Sequence, residues 1–535
     1  MPAIYKFISL FLLIAASFEL NGQDNQLTYY LSPSGNDNND GHSPKRAWKT
    51  LAKLNSVDLR PGSHVFLEKG KTFTGTIKLD KADSGTPSEP VTISSYPKEA
   101  ATIDAGDSTG LYGINCSNIV VSNINFKGNG VGKNSGSGIF FYSDLQTNQP
   151  ENITILYCST SGFGKYGILF GSAEGGQIKG FNKVMLEECR SSANGEAGIG
   201  SYGDQSHFPH TNFLVNQCYV HGNRGILTKT ENHSGNGIVF GSVENITIQY
   251  CKAFDNGADN RCNAGGPVGI WVWLCKNAVI QYCESHHNHA GAGKDGGGFD
   301  IDGGSSNCVI QFNYSHDNEG AGYLLAEYGA ATPFVNDTIR FNISENDGRK
   351  NSYGGITIWG VSNQYQVRKS IVYNNTVFVS TNNIVNGNPC AVQIIGPNMS
   401  GVILANNIFL TQGTVEFVNS SDAIDTSNIK FISNSYYSYS NRPSFIWNRK
   451  VYRGLSEWKS FAKGQETFNG MQTGVYIDPQ LDSAQTSFQR FRLSKTSPIK
   501  YGGTKLSDLG VTGYSQDIFS RKIANNGMVN PGASN

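Results

Sequence analysis

The chain carries no surplus of either charge: 42 Lys and Arg balance 42 Asp and Glu among 535 residues. A nucleic-acid partner would leave a basic excess or basic runs, and neither occurs. Long apolar runs are equally scarce. The stretch Phe7 to Ala16, behind Lys6, is too short to span a bilayer and fits the core of a secretory signal over residues 1–23. No later stretch reads as a membrane span, so the expected location is secreted or periplasmic. Metal-ligand spacing is missing too, since neither Cys-x-x-Cys nor His-x-x-x-His occurs despite 10 Cys and 10 His. Amphipathic helical patterning is rare, and no Pro/Ser-rich linker or charge block divides the chain.

What the sequence does contain is a repeat. From about Asn118 to Asn434 a short β-branched run returns roughly every thirty residues, the signature of stacked units. Copies include Asn118-Ile119-Val120-Val121, Asn152-Ile153-Thr154-Ile155, Asn245-Ile246-Thr247-Ile248, Cys308-Val309-Ile310 and Gly401-Val402-Ile403-Leu404. One unit cannot bury its apolar face alone. Because the units are strand-like, they predict an all-β fold, a parallel β-helix solenoid. The residue closing each run is Cys158, Cys189, Cys218, Cys251 and Cys283, then Asn313, Asn342, Asn375, Asn407 and Asn434. Thiols pack as small hydrophobes, and stacked Asn amides bond along a stacking axis. The series therefore predicts an internal ladder with structural cysteines; a Cys262–Cys275 loop disulfide is neither required nor excluded.

An open solenoid end exposes strand edges and needs a cap. At the front, Tyr29 to Asp37 reads as a strand and an acidic turn, followed by a helix from Trp48 to about Val57. At the back stand Asp478-Pro479-Gln480-Leu481 and Phe491-Arg492-Leu493-Ser494. The expected organisation is signal 1–23, cap and first coils 24–110, coil core 111–440, and C-terminal coils and cap 441–535. Together with the repeats, these ends resemble secreted parallel β-helix enzymes that act on polysaccharides. Those include pectate, alginate and chondroitin lyases, and a minority of glycoside hydrolases such as β-helix xylosidases. The resemblance implies a right-handed parallel β-helix with capped ends and a polysaccharide or oligosaccharide partner. It does not imply one reaction, because these families share a scaffold and no single catalytic signature.

A second strand follows each ladder residue, usually opening with Gly. Examples are Gly269-Ile270-Trp271-Val272-Trp273, Gly298-Phe299-Asp300-Ile301-Asp302, Gly322-Tyr323-Leu324-Leu325-Ala326 and Gly355-Ile356-Thr357-Ile358-Trp359. Strand alternation turns the second and fourth positions inward and the third and fifth outward. Trp271 and Trp273 then stack one coil, about 4.8 Å, below Asp300 and Asp302, with Trp359 two coils above. An exposed tryptophan pair beside carboxylates predicts a sugar groove; Tyr202 and Tyr323 are further candidate contacts. The turn before Asp300 carries His286, His287, His289, Lys294 and Asp295, with Arg261 at the equivalent turn one coil earlier and Arg349 two coils later. These basic groups are expected to rim the aspartate face.

Three functions suit this pattern. The leading one is β-elimination on a uronic-acid sugar, which needs a base for the C5 proton, positive charge for the enolate and an acid for the C4 oxygen. His286, His287, His289, Lys294, Arg261 and Arg349 would supply base and charge, while Asp300 and Asp302 would hold a Ca²⁺ cofactor. Departure of the next sugar makes a lyase, and departure of a free C4 hydroxyl makes a dehydratase. The alternative is glycoside hydrolysis by Asp300 or Asp302 with Glu327 one coil on; carboxylates about 5–5.5 Å apart retain configuration and about 6.5–9.5 Å apart invert it. The third is a non-catalytic carbohydrate-binding solenoid.

Overall fold

The structure, a computed structural model, describes residues 27–96, 99–362, 364–397, 399–420, 422–482, 484–511, 516–523 and 527–534. The expected signal over 1–23 lies outside the described residues. Among those residues no helix is long and apolar enough to cross a membrane.

The repeats stack into a three-walled parallel solenoid. The front wall holds the Gly-led strands, among them Ala197–Tyr202, Val268–Lys276, Gly297–Asp302, Tyr323–Glu327 and Gly354–Gly360. The second wall holds the β-branched runs, such as Glu151–Leu156, His210–Asn216 and Val309–Gln311. These two walls form one 27-stranded sheet, joined where the 14-residue strand Asn236–Gln249 pairs with both Val268–Lys276 and Val279–Gln281. The third wall is a 14-stranded sheet that includes Lys252–Phe254, Glu284–His286 and Tyr314–His316.

Alternation fills the tube as expected. Ile270, Val272, Phe299, Ile301 and Leu325 point inward and are fully buried, and burial of such side chains is the main drive for stacking. Each corner between second and third walls puts a residue in the left-handed region just before the ladder position. Tyr250 (φ 54°), Tyr282 (φ 55°), Phe312 (φ 58°) and Phe341 (φ 53°) are examples. Such φ values are costly for a side chain larger than Gly, and the following ladder residue offsets the cost with hydrogen bonds. Asn313 Nδ2 donates to Asn342 Oδ1 at 3.1 Å, Asn342 to Asn375 at 3.0 Å, Asn375 to Asn407 at 3.0 Å and Asn407 to Asn434 at 3.0 Å. Glu466 Oε1 ends the ladder by accepting from Asn434 Nδ2 at 2.8 Å. The five cysteines continue it on the other side, all free and buried like Cys262 and Cys275.

A parallel ladder at the next corner went unread in the sequence. Asn194, Asn223, Asn256, Asn288 and Asn318 bond in turn at 3.1, 2.9, 2.9 and 2.9 Å, and Asn318 donates to Asp347 at 2.7 Å.

The ends differ in part from expectation. At the front, Trp48 is buried with its ring stacked on Tyr29 at 4.8 Å, but the helix spans only Leu51–Leu54. At the back, Val475–Tyr476 is the last strand on the third wall. Later residues add no coil; they run back along the outside of the tube. Leu506, Ile523 and Val529 cover Phe312, Phe341, Tyr373, Ala405 and Ile432, and Gln516 donates to the Tyr282 hydroxyl at 2.6 Å.

Candidate active site

The front wall sets the register of the site. Trp271 pairs with Asp300 and Trp273 with Asp302 on adjacent strands, and Ala326 pairs with Trp359 further on. All of these side chains leave the same wall on the outer side, as alternation requires. Their exposure, however, departs from the sequence reading. Trp271 is 5 % exposed and Asp300 2 %. The Trp271 indole packs with Ala197, Val239 and Val268, and its Nε1 donates to Asn236 Oδ1 at 3.2 Å. It is a buried floor and no open sugar platform. Loops folded over this part of the wall account for the difference, since neither strand period nor coil spacing reports them.

Trp273 and Tyr202 do face an open groove of about 700 Å³, whose lining also includes Tyr112, Phe140, Leu169 and His233. Both rings lie flat because glycines sit beneath them. A Cβ at Gly241 would come within 2.3 Å of the Trp273 ring, and one at Gly171 within 2.6 Å of the Tyr202 ring. The groove ends at Trp273, whose strand neighbour is Asp302.

Three carboxylates stand at that end within reach of one another's charge. Asp295 stands in the turn before the strand. It accepts a hydrogen bond from the Tyr353 hydroxyl on Oδ1 and another from the Gly266 backbone N–H on Oδ2. Asp300 lies deepest, and its Oδ1 is buried with no hydrogen-bond partner. Burial pushes its carboxyl well above the usual range, and the charges of Asp302 and Asp295 push it further. Asp302 is half-buried; desolvation first, then the charges of Asp295 and Glu327, raise it to about 8. Asp295 is also raised by burial, against the two hydrogen bonds that hold it down. Carboxyls crowded in a dry site keep protons that separate groups would release in water.

Several sequence candidates occupy other places. Glu327, 2 % exposed, accepts from the backbone N–H of Gly304 at 3.1 Å, of Gly329 at 2.5 Å and of Ala330 at 3.0 Å. It therefore braces loop backbone and does not face a substrate. Tyr323 points into the tube, stacked on Phe299 at 5.3 Å, its hydroxyl donating to the carbonyls of Asn313 and Ile343. Arg349 is 3 % exposed and clasps the carbonyls of Asp347, Ser380 and Asn382. Trp359 is half-buried against Leu324 and Ala326, beyond the aspartates.

The basic rim is dispersed as well. His286 and His287 belong to the third wall, where His286 ends the strand Glu284–His286. His289 pairs with Glu319 at 3.0 Å and, with Arg261 and Lys350, lines a separate cleft of about 280 Å³. Of the named cations only Lys294 stands beside the carboxylates, where it pulls Asp295 down. Calcium takes six to eight oxygens. Asp300 and Asp302 bring two carboxylates, and no trio that includes them gathers within 4.8 Å among the described residues.

Sequence reasoning placed Asp295 in the turn before Asp300 but gave neither it nor Tyr353 nor His233 a role in the chemistry. Asp295 was visible as the acid immediately before the Gly296-Gly297-Gly298 turn. The contacts from Tyr353 (a coil pair away) and from His233 against Trp271 at 5.5 Å depend on loop paths with no periodic signal. With Trp273 half-open at the groove's end, Trp273→Ala is expected to raise KM about tenfold, about 1.4 kcal/mol of lost binding. Steady-state kinetics should show kcat nearly unchanged, the mark of uniform binding.

This geometry defines a right-handed parallel β-helix protein with a carboxylate cleft on its front wall. The right handed beta helix region family matches residues 145–339. The chain is similar to the lacto-N-biosidase of Bifidobacterium longum subsp. longum, 25% identical over 518 residues, covering 78% of this chain and 31% of that protein. It thus spans about a third of that relative's length. The crystal structure of the GH136 lacto-N-biosidase from Eubacterium ramulus superposes with a TM-score of 0.52 at 18% identity, covering 78% of this chain and 67% of that one. Pectate lyase Pel9A is matched more loosely, with a TM-score of 0.37 at 16% identity over 92% of this chain and 96% of the other.

Proposed function

We propose that this protein is a glycoside hydrolase that cuts an oligosaccharide or polysaccharide at Asp295 and Asp302. The observation that carries the reading is the carboxylate cluster at the end of a groove floored by aromatic rings. Hydrolysis through an oxocarbenium-like transition state needs one carboxyl to protonate the departing oxygen and one carboxylate to attack or to activate water. Crowding among Asp295, Asp300 and Asp302 favours a state with at least one proton kept near neutral pH. Asp300 lies deepest, and burial together with the charges of Asp302 and Asp295 favours its protonated form. The resemblance to two lacto-N-biosidases points the same way. β-Elimination would need a base and several cations beside the carboxylates; of the named cations only Lys294 stands there, while His286, His287, His289, Arg261 and Arg349 stand elsewhere.

The test is a panel of oligosaccharides, including those cleaved by lacto-N-biosidases and uronate-rich ones. New reducing ends without ultraviolet absorbance from an unsaturated sugar support hydrolysis; absorbance appearing with product overturns it. Azide added to Asp295→Ala and Asp302→Ala assigns the roles by the configuration of the glycosyl azide formed, inverted where the nucleophile is lost and retained where the acid/base is lost.

Tyr353→Phe removes one donor to Asp295. Loss of a hydrogen bond to the ionised form raises a carboxyl's pKa, so the limb of the pH–kcat profile governed by Asp295 should move to higher pH. A profile that stays in place would separate Tyr353 from the chemistry.

A further inference from the structure

On the third wall, away from the cleft, three imidazoles converge. His286 and His316 are strand neighbours in register, with rings stacked at 4.6 Å. His287 follows in the left-handed region (φ 52°), and that turn swings its ring across both neighbours at 88° and 90°. The Nδ1 atoms of His286 and His287 stand 2.8 Å apart. The three residues each place a ligand nitrogen within 4.8 Å of the others.

Carboxylates flank the group on two sides. Asp317 Oδ2 lies 2.9 Å from His316 Nδ1. On the far edge of the rings, Glu284 Oε1 lies 3.3 Å from His316 Nε2 and 3.8 Å from His286 Nε2. His286 Nε2 is itself buried without a hydrogen-bond partner. A stack of rings alone does not call for this. The same position one coil earlier is Phe254, which stacks on His286 at 4.9 Å, so a phenyl ring satisfies the packing.

We propose that His286, His287 and His316 bind one divalent transition-metal ion of the zinc or copper class. Imidazole nitrogens suit these ions. Metal–nitrogen bonds of about 2.0–2.1 Å place neighbouring ligand atoms only slightly further apart than the facing Nδ1 pair, so small ring rotations close the trio. Asp317 is placed to complete the shell with an oxygen. Glu284, held by Lys252 at 3.0 Å, accepts from His316 Nε2 at 3.3 Å and fixes which nitrogen of that ring faces the ion, the usual outer-shell role of a carboxylate. The ion would tie two adjacent coils across their outer face.

Tag-free protein, stripped with chelator and dialysed, is titrated with ZnCl₂ calorimetrically. About one equivalent is expected to bind with a Kd in the micromolar range or tighter, and bound zinc should raise Tm by mass action. His287→Ala and His286→Phe should each weaken binding at least about tenfold, with the phenyl preserving the stack. Binding well below one equivalent overturns the proposal, as does a titration unchanged in the His286→Phe/His287→Ala double variant. Sugar cleavage is read in the same samples and should not change, so failure here leaves the hydrolase reading untouched.

Discussion

Asp302→Asn is expected to lower kcat by about 10³-fold or more, the scale of a lost catalytic carboxyl, and at the same time to raise Tm near pH 8. The second effect follows from the carboxyl's history on folding. Its folded pKa of about 8 lies far above that of an unfolded aspartate. Below the unfolded value both states hold the proton and the group is neutral to stability. As pH rises through the window between the two values, the unfolded chain loses its proton while the folded one keeps it, and stability falls. Asn keeps the shape and carries no charge, so the variant escapes that loss. Kinetics and thermal melts at about pH 5 and about pH 8, roughly the two ends of that window, check both halves. A variant that loses activity together with stability would instead mark Asp302 as a structural residue.

Asn375→Ala should be strongly damaging, costing about 3 kcal/mol or more in chemical denaturation. Asn375 Nδ2 donates to the carbonyl of Ile339 at 3.0 Å and to Asn407 at 3.0 Å, while its Oδ1 accepts from the backbone and side chain of Asn342, both at 3.0 Å. Alanine would leave those partners unsatisfied in a dry interior, the expensive half of hydrogen-bond energetics. The exposed Asn212, which bonds to Asn182 at 2.8 Å, is the control. Its replacement by Ala should cost only about 1 kcal/mol, the strain of its left-handed backbone (φ 59°), because water takes over the freed groups.

The stacking period, the Cys-to-Asn ladder and the facing of Trp271, Trp273, Asp300 and Asp302 were legible because each is periodic: strand alternation and coil repeat determine them together. What the period could not carry is how deep the wall lies. Trp271 and Asp300 read as exposed by alternation and are buried by loops from neighbouring coils. Asp295 and Tyr353 come together from turns of unequal length, so their meeting had no spacing to announce it. Glu327 shows the opposite failure. It stands beside the cleft in sequence terms, yet three backbone N–H groups claim its carboxylate. Tyr323 was misplaced although its own strand position points inward, a conflict the alternation rule resolves correctly.

The returning C-terminal segment bears on how such a tube comes apart. A stack whose members touch only their nearest neighbours melts from its ends, one rung at a time. Here Thr504 grips Asn406 in both directions at 2.8 Å, Asn374 donates to the carbonyls of Asn530 and Gly532, and Ala533 N–H reaches Thr376 at 2.9 Å. That strip laces distant rungs together lengthwise, so the last of them cannot peel off until the lacing is undone. Fraying is converted into a shared, all-at-once event over the stretch it covers.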